Sequence, residues 1–293
     1  IAENATAVHL NAPGDDAACI PGDAVVTVDA MVEGVHWDNK LNPADVGWKL
    51  IATNASDVNA MGALPTWAVL TLCLPRPVDR AWITDFARGL GEALNTWSID
   101  LVGGDTTRSP STRMVSLTMG GHTTNPVGRC GAQIGDDIWV TGTLGGPAAG
   151  FFVGEDSSAL RRPSPPIGLG RALAQAQIVT AMMDLSDGLG RDLPRLCKAS
   201  GVGAIVDEST LPAHATLAEH SEPLPYLVGF GEEYELLFTA SPANRDLVLS
   251  TGHAFGTTMT RIGQIHADAA RGAHLTHHDW PTPLFAHFAE TQQ

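Results

Sequence analysis

The chain has 293 residues, 44% of them hydrophobic and 17% charged, and its 17 basic and 32 acidic side chains give a net charge of −15. Such a chain buries enough apolar surface for one large domain or two ordinary ones. The charge balance argues against nucleic acid or an anionic membrane as partner, and a phosphorylated substrate would need metal bridges.

The first informative stretch, Gly14-Asp15-Asp16-Ala17-Ala18-Cys19, leads through a turn at Pro21-Gly22-Asp23 into the β-branched run Ala24–Val28. That run predicts a strand stopping on Asp29, with a carboxylate pair before it and another acid at its exit. Isolated buried charge is heavily penalised, so packing alone gives no reason for acid there. Acids recur beside small residues at Asp57, Asp105, Asp184 and Asp187. Carboxylates about 4 Å apart repel by roughly 4 kcal/mol at an effective dielectric near 20. A convergent set of them calls for hard cations such as Mg²⁺ or Ca²⁺.

Asn42-Pro43 predicts a helix start, with the helix running to about Gly62. Asn54 and Asp57 share one of its faces with Leu50 and Met61, either as a surface edge or as ligands facing a site. Trp67–Leu74 reads as a strand buried on both sides, and Asp79–Trp97 as an amphipathic helix with Ile83, Phe86, Leu90, Leu94 and Trp97 on its core stripe. Strand Ile99–Val102 then ends in Gly103-Gly104-Asp105-Thr106-Thr107-Arg108, which is either a phosphate–metal site or a tight polar turn.

Strand Met114–Gly120 closes the first half, and 122–135 is the expected boundary. Asp136-Asp137 repeats the opening acid pair but reads as a solvated turn before Ile138–Val140. Gly142–Gly146 lacks the ending of a P-loop. The stretch 154–166 predicts a loop with Arg161-Arg162 exposed, followed by a helix over 170–177 and strand Thr180–Met183. In Asp184-Leu185-Ser186-Asp187-Gly188, Asp187 sits where it could cap a helix through Cys197. Gly203–Val206 is a strand, Gly231-Glu232-Glu233-Tyr234-Glu235 places acids ahead of another, and Met259–Ile265 is expected to be the last. His277-His278 reads as a polar turn rather than a metal pair, and the aromatic tail 283–288 as packed on the body. No apolar run nears the ~20 residues of a membrane span, and no signal peptide is visible. Cys19, Cys73, Cys130 and Cys197 lack paired ligand spacing and read as reduced thiols of a cytoplasmic protein. Ile1 in place of an initiator Met points to residues upstream. The irregular alternation of elements predicts two α+β domains, 1–125 and 126–293.

Taken together in this order, GDDAA, VDAMVEGVHW, NASDVNAMGA, LVGGDTTR, DLSDG and GEEYELLF resemble the thiamine-monophosphate kinases, of the aminoimidazole-ribonucleotide synthetase superfamily. The resemblance spans about Gly14 to Phe288. It implies the two-domain α+β fold of that superfamily, dimerised through the N-terminal sheet, and transfer of a phosphoryl group from ATP to thiamine monophosphate without a covalent intermediate. By resemblance, Asp16, Asp29, Asp57, Asp105, Asp184 and Asp187 would hold several Mg²⁺ ions, with Asp29, Asp57 and Asp105 as the catalytic acids. Thr27 and Val28 also fall at metal positions, although Val28 stands where the family often has Thr and offers only its carbonyl. Gly104, Arg129 and Ser186 would touch ATP, and His36, Glu232 and Phe285 the thiamine phosphate. The N-terminal domain would carry the metal and ATP site, and the C-terminal domain would complete the metal and substrate site. Glu233 replaces the usual Asp, Phe285 replaces Tyr or Trp, the helix preceding Gly14 is missing and the 154–161 connection is short. The alternatives are a sister enzyme (selenophosphate synthetase or the hydrogenase-maturation type) and a non-catalytic divalent-cation module.

Overall fold

The computed structural model describes residues 14–38, 41–154, 158–217, 220–281 and 284. The chain forms two compact units. The first comprises residues 1–128 and 161–177, and the second 129–160 and 178–293. A single cut at 125/126 was expected; the break falls at 128/129, and one later segment returns to the first unit.

Unit 1 is built on a five-stranded sheet, ordered β1-β2-β5-β3-β4. Its strands are β1 (Ala18–Ile20), β2 (Ala24–Val32), β3 (Leu64–Leu74), β4 (Asp100–Arg108) and β5 (Met114–His122). β5 pairs antiparallel with β2 and with β3, and only β3–β4 is parallel. β2 does not stop on Asp29. Its pairing with β5 runs from Ala24↔His122 to Val32↔Met114, so Asp29 is an interior strand residue. Along β2 the side chains alternate: Val25, Thr27 and Met31 are buried, while Val28 is 62% exposed.

Helices α1 (Pro43–Ala60) and α2 (Arg80–Trp97) start on caps that the sequence supplies. The Asn42 side chain accepts from the Ala44 N–H, and that of Asp79 from the Trp82 N–H. The expected stripe of α2 is core: Phe86, Leu90 and Leu94 are buried, and Trp82 stacks on Phe86 at 5.1 Å. The two helices approach closely where a Cβ on Gly89 would lie 1.8 Å from the Ala44 carbonyl oxygen. The other face of the sheet is open, with β3 mostly half-buried and every residue of β4 exposed. β3 is therefore not buried on both sides as expected. Gly103–Arg108 is no turn either: it continues β4 in register with β3, from Gly103↔Val69 to Arg108↔Leu74.

Unit 2 holds a six-stranded sheet, ordered β11-β8-β10-β6-β9-β7. The strands are β6 (Asp137–Thr141), β7 (Ala181–Asp184), β8 (Gly203–Val206), β9 (Leu236–Ala240), β10 (Met259–His266) and β11 (Ala273–Leu275). All pairs are antiparallel except β11–β8. β10 is not the last strand, because the short β11 follows. The helices are α3 (Gly146–Ala148), α4 (Ser158–Arg161), α5 (Leu169–Gln175, in unit 1), α6 (Leu189–Ser200), α7 (Leu224–Gly229) and α8 (Arg245–Ala254). α3 continues into a π turn over Ala149–Val153. Pro194 lies inside α6 and has no N–H to give the Gly190 carbonyl; the Trp280 indole donates to that carbonyl instead, at 2.9 Å. Among the described residues no helix is long and apolar enough to cross a membrane.

Two polar readings change. Asp136 and Asp137 are buried, not a solvated turn. Asp136 accepts from the Thr180 hydroxyl at 2.6 Å, and Asp137 from Arg245 at 2.6 and 2.8 Å with Arg261 at 3.4 Å. Arg162 is not simply exposed: it pairs with Asp45 and Glu92 and stacks over Trp48 at 5.3 Å. Partners supply the free energy that makes such burial tolerable.

Candidate active site

On unit 1 the alternation of β2 turns Thr27 and Asp29 toward α1, whose small residues leave room for polar groups. The Thr27 hydroxyl lies 2.7 Å from Asp57 Oδ2 and 3.2 Å from the Asp16 carbonyl oxygen. Asn54, fully buried one turn before Asp57, accepts from the Asp29 N–H at 3.2 Å and donates to the Leu50 carbonyl at 2.8 Å. The Asn54–Asp57 face of α1 is therefore a polar seam against the strand, not a surface edge. A carboxylate oxygen of Asp16 and one of Asp57 lie within 4.8 Å of each other. Burial raises the pKa of Asp29, and a hydrogen bond with Thr53 lowers it. Clustered hard oxygen donors of this kind suit Mg²⁺.

Val28 faces away from this cluster. His36 follows β2 in a turn, and its Nδ1 accepts from the Val32 N–H at 3.0 Å. That bond makes Nε2 the N–H-bearing nitrogen of the neutral ring, a donor suited to an anion. Gly104 and Asp105 lie on the exposed edge strand β4, and a Cβ on Gly104 would be 2.4 Å from the Leu70 carbonyl oxygen. The glycine thus serves strand-to-strand approach. β5 and β3 separate β4 from β2, so Asp105 stands roughly 14 Å across the sheet from the Asp29 strand. The structure does not bring Asp105 to the Asp16–Thr27–Asp57 cluster within one chain.

On unit 2 Asp184 is 1% exposed at the end of β7. Asp187 does not cap α6, whose N-cap is Gly188 without a side-chain bond. Its carboxylate pairs with Arg195 at 2.6 Å, and its N–H donates to the buried Asp192 at 2.9 Å. The Ser186 carbonyl accepts from the Glu232 N–H at 2.8 Å, which draws two expected ligand contacts together. The Arg129 carbonyl accepts from Ser200 Oγ at 3.0 Å. Glu232 and Tyr234 have positive φ, 70° and 52°, a strained backbone typical of functional loops. Phe285 lies outside the described residues, as does most of the tail.

Sequence reasoning named Glu233 and Glu235 as acids ahead of a strand but gave neither a site role. Burial pushes Glu233 well above the carboxylate range, with Glu235 and Glu232 adding to the rise, although the Gly145 N–H donates to it at 2.6 Å. Burial pushes Glu235 up to about 7, against the lowering bond from the Thr141 hydroxyl. The available signal was their i,i+2 spacing around Tyr234. His278 binds Glu208 at 2.7 Å and His277 donates its N–H to the same carboxylate, in keeping with a polar turn.

Residues 14–123 match the N-terminal domain of the AIR synthase related proteins, and 133–275 match the C-terminal domain. The thiamine-monophosphate kinase of Escherichia coli K12 is 40% identical over 280 residues, covering 87% of this chain and 84% of that protein. The chain belongs to the thiamine-monophosphate kinase family. The crystal structure of the kinase from Stenotrophomonas maltophilia K279a superposes with a TM-score of 0.80 at 34% identity, covering 90% of this chain and 92% of that one. AaThiL complexed with AMPPCP and TMP gives a TM-score of 0.82 at 30% identity, over 94% and 91%. This membership agrees with the resemblance read from the six motifs and with the two-domain α+β fold.

Proposed function

We propose that this chain transfers the γ-phosphoryl group of ATP to the phosphate of thiamine monophosphate, giving thiamine diphosphate and ADP. The observation that carries the reading is the close pair of carboxylates Asp16 and Asp57 beside the Thr27 hydroxyl, set in a chain 40% identical to a kinase of that name. The acceptor oxygen is already anionic, so no general base is needed, and the obstacle is charge repulsion between two phosphates. Asp16, Asp29 and Asp57 on unit 1 and Asp184 and Asp187 on unit 2 would hold Mg²⁺, with Thr27 and the Val28 carbonyl nearby. The ions would neutralise the phosphate oxygens and support in-line displacement. Gly104, Arg129 and Ser186 are the proposed ATP contacts. His36, Glu232 and Phe285 are the proposed contacts of the thiamine phosphate.

We also propose a homodimer through the open face of the unit 1 sheet, acting in the cytoplasm. Exposed Val28 and Val102 support that face as an interface. The sheet order supports it too, since Asp105 is far from Asp29 within one chain and a second copy is a route by which it could reach an acid cluster.

The deciding experiment is incubation with thiamine monophosphate, ATP and MgCl₂, with thiamine diphosphate separated by anion exchange. Absence of that product, with the nucleotide untouched, would overturn the assignment. Asp105→Asn is expected to lower turnover on the order of 10²-fold without unfolding; wild-type turnover would reduce it to a strand residue.

A further inference from the structure

Unit 2 carries an aromatic cluster outside the acid sites. Phe151 is 64% exposed and Phe152 46% exposed, although both are large apolar side chains. Their ring centroids lie 4.9 Å apart. Each also meets Phe230, at 5.7 and 5.5 Å, and Phe152 meets Tyr226 at 5.8 Å. Phe230 is buried and forms the base of the cluster. Exposed rings held over a buried one form a fixed surface rather than a frayed end.

Local structure explains how they are held. Phe151 and Phe152 sit on the π turn Ala149–Val153, and such turns are frequent at functional sites. The turn follows α3, whose entry is anchored where the Gly145 N–H donates to Glu233 at 2.6 Å. The base of the cluster is tied to the loop after β7: a Cβ on Gly188 would lie 2.3 Å from the Phe230 carbonyl oxygen, and one on Gly231 would lie 2.2 Å from that of Ser186. Glu232 is bonded to Ser186 through its N–H, at 2.8 Å. The rings are thus continuous in structure with the loop pair bearing Glu232, Ser186 and Asp187.

We infer that Phe151 and Phe152 are specificity-determining residues that receive the heterocycles of the acceptor, an inference that rests on the thiamine-monophosphate reading above. That acceptor carries a flat aminopyrimidine and a permanently cationic thiazolium. Ring faces attract cations and stack on flat heterocycles. The carboxylate of Glu232, on the adjoining loop, is opposite in charge to that cation. ATP, with a neutral base and an anionic tail, gains little from the same pairing of π face and acid.

The test is steady-state kinetics of the full chain with Phe151→Ala, Phe152→Ala and the double variant, read separately for each substrate. The expected result is a KM for thiamine monophosphate raised about 5–20-fold in each single variant, and further in the double one. The KM for ATP, kcat and melting temperature should stay near wild type, because both rings are largely solvent-facing. Leu at either position keeps apolar bulk but loses the ring, and is expected to behave like Ala; Tyr is expected to behave like Phe. A wild-type chain that turns over thiamine monophosphate, with an unchanged KM in the double variant, overturns this inference and leaves the kinase reading intact. So does a Leu variant indistinguishable from wild type, or a variant whose oligomeric state changes on size exclusion while its KM does not. A rise in both KM values together with a lower melting temperature shows a structural role and overturns it as well. A wild-type chain with no such turnover overturns the kinase reading and this inference together.

Discussion

The two units treat buried acid in opposite ways. In unit 2, Asp137 is matched by Arg245 and Arg261, Asp192 by Arg195, and Asp136 by the Thr180 hydroxyl. In unit 1, the carboxylates of Asp16 and Asp57 lie within 4.8 Å of each other, with the Thr27 hydroxyl on Asp57, beside an Asp29 whose charge burial disfavours. Where the fold matches a carboxylate with its own cations, the acid serves structure. Where it sets the carboxylates of Asp16 and Asp57 within 4.8 Å of each other, the electrostatic cost is offset when a divalent cation binds. Glu233 and Glu235 are a third case, in which burial raises the carboxyl pKa.

The strongest way to break this comparison is Asp57→Asn. Turnover is expected to fall on the order of 10²–10³-fold, with an unchanged or higher melting temperature, because a repulsive charge is removed without loss of shape. Phosphoryl-transfer assays beside a thermal melt check it, and retained turnover would place Asp57 among the structural acids. Excess chelator should abolish turnover likewise.

Next in size is a pH effect from Glu235, whose carboxyl titrates at about 7 in the fold against an ordinary 4.5. Between those values the unfolded chain has lost the proton and the folded chain keeps it, so stability falls as pH rises, by about 3 kcal/mol in all. That stabilising contribution is complete below pH 4.5 and gone above about 7. Urea unfolding at pH 5 and pH 8 should show the loss, and Glu235→Gln should flatten it.

Arg245→Ala leaves buried Asp137 with the longer Arg261 contact, and is expected to cost about 2 kcal/mol of stability at unchanged turnover per folded molecule. Denaturant midpoints and active-site titration separate those quantities. The smallest expected effect is Thr27→Val, which keeps the strand and removes the shared hydroxyl. About 1 kcal/mol is at stake, read as a several-fold higher Mg²⁺ requirement and little change in melting temperature.

Much of the fold was legible because local rules suffice for it. Asn42 and Asp79 cap the helices that follow them, and the α2 stripe buries as its 3.6-residue period dictates. The motif order likewise identified the family, and the acids Asp16 and Asp57 fell where a cluster forms. Other features had no local signal. β4 contains two glycines and two Asp, poor strand formers, yet it pairs in parallel with β3. Asp136-Asp137 reads locally as a turn because the partner Arg245 is 108 residues further along the chain.

The sequence by itself determined most element types, the two-domain α+β class and the acids that recur beside small residues. It did so because periodicity, caps and turn chemistry act over a few residues. The tertiary structure alone decided which acids are neutralised, which have their pKa raised by burial and which carboxylates lie close together. It also decided that Asp105 stands across the sheet from Asp29, and that two phenylalanines remain in solvent on a π turn. Those outcomes depend on burial and on partners far away in sequence, and electrostatic energy follows distance and dielectric rather than order along the chain.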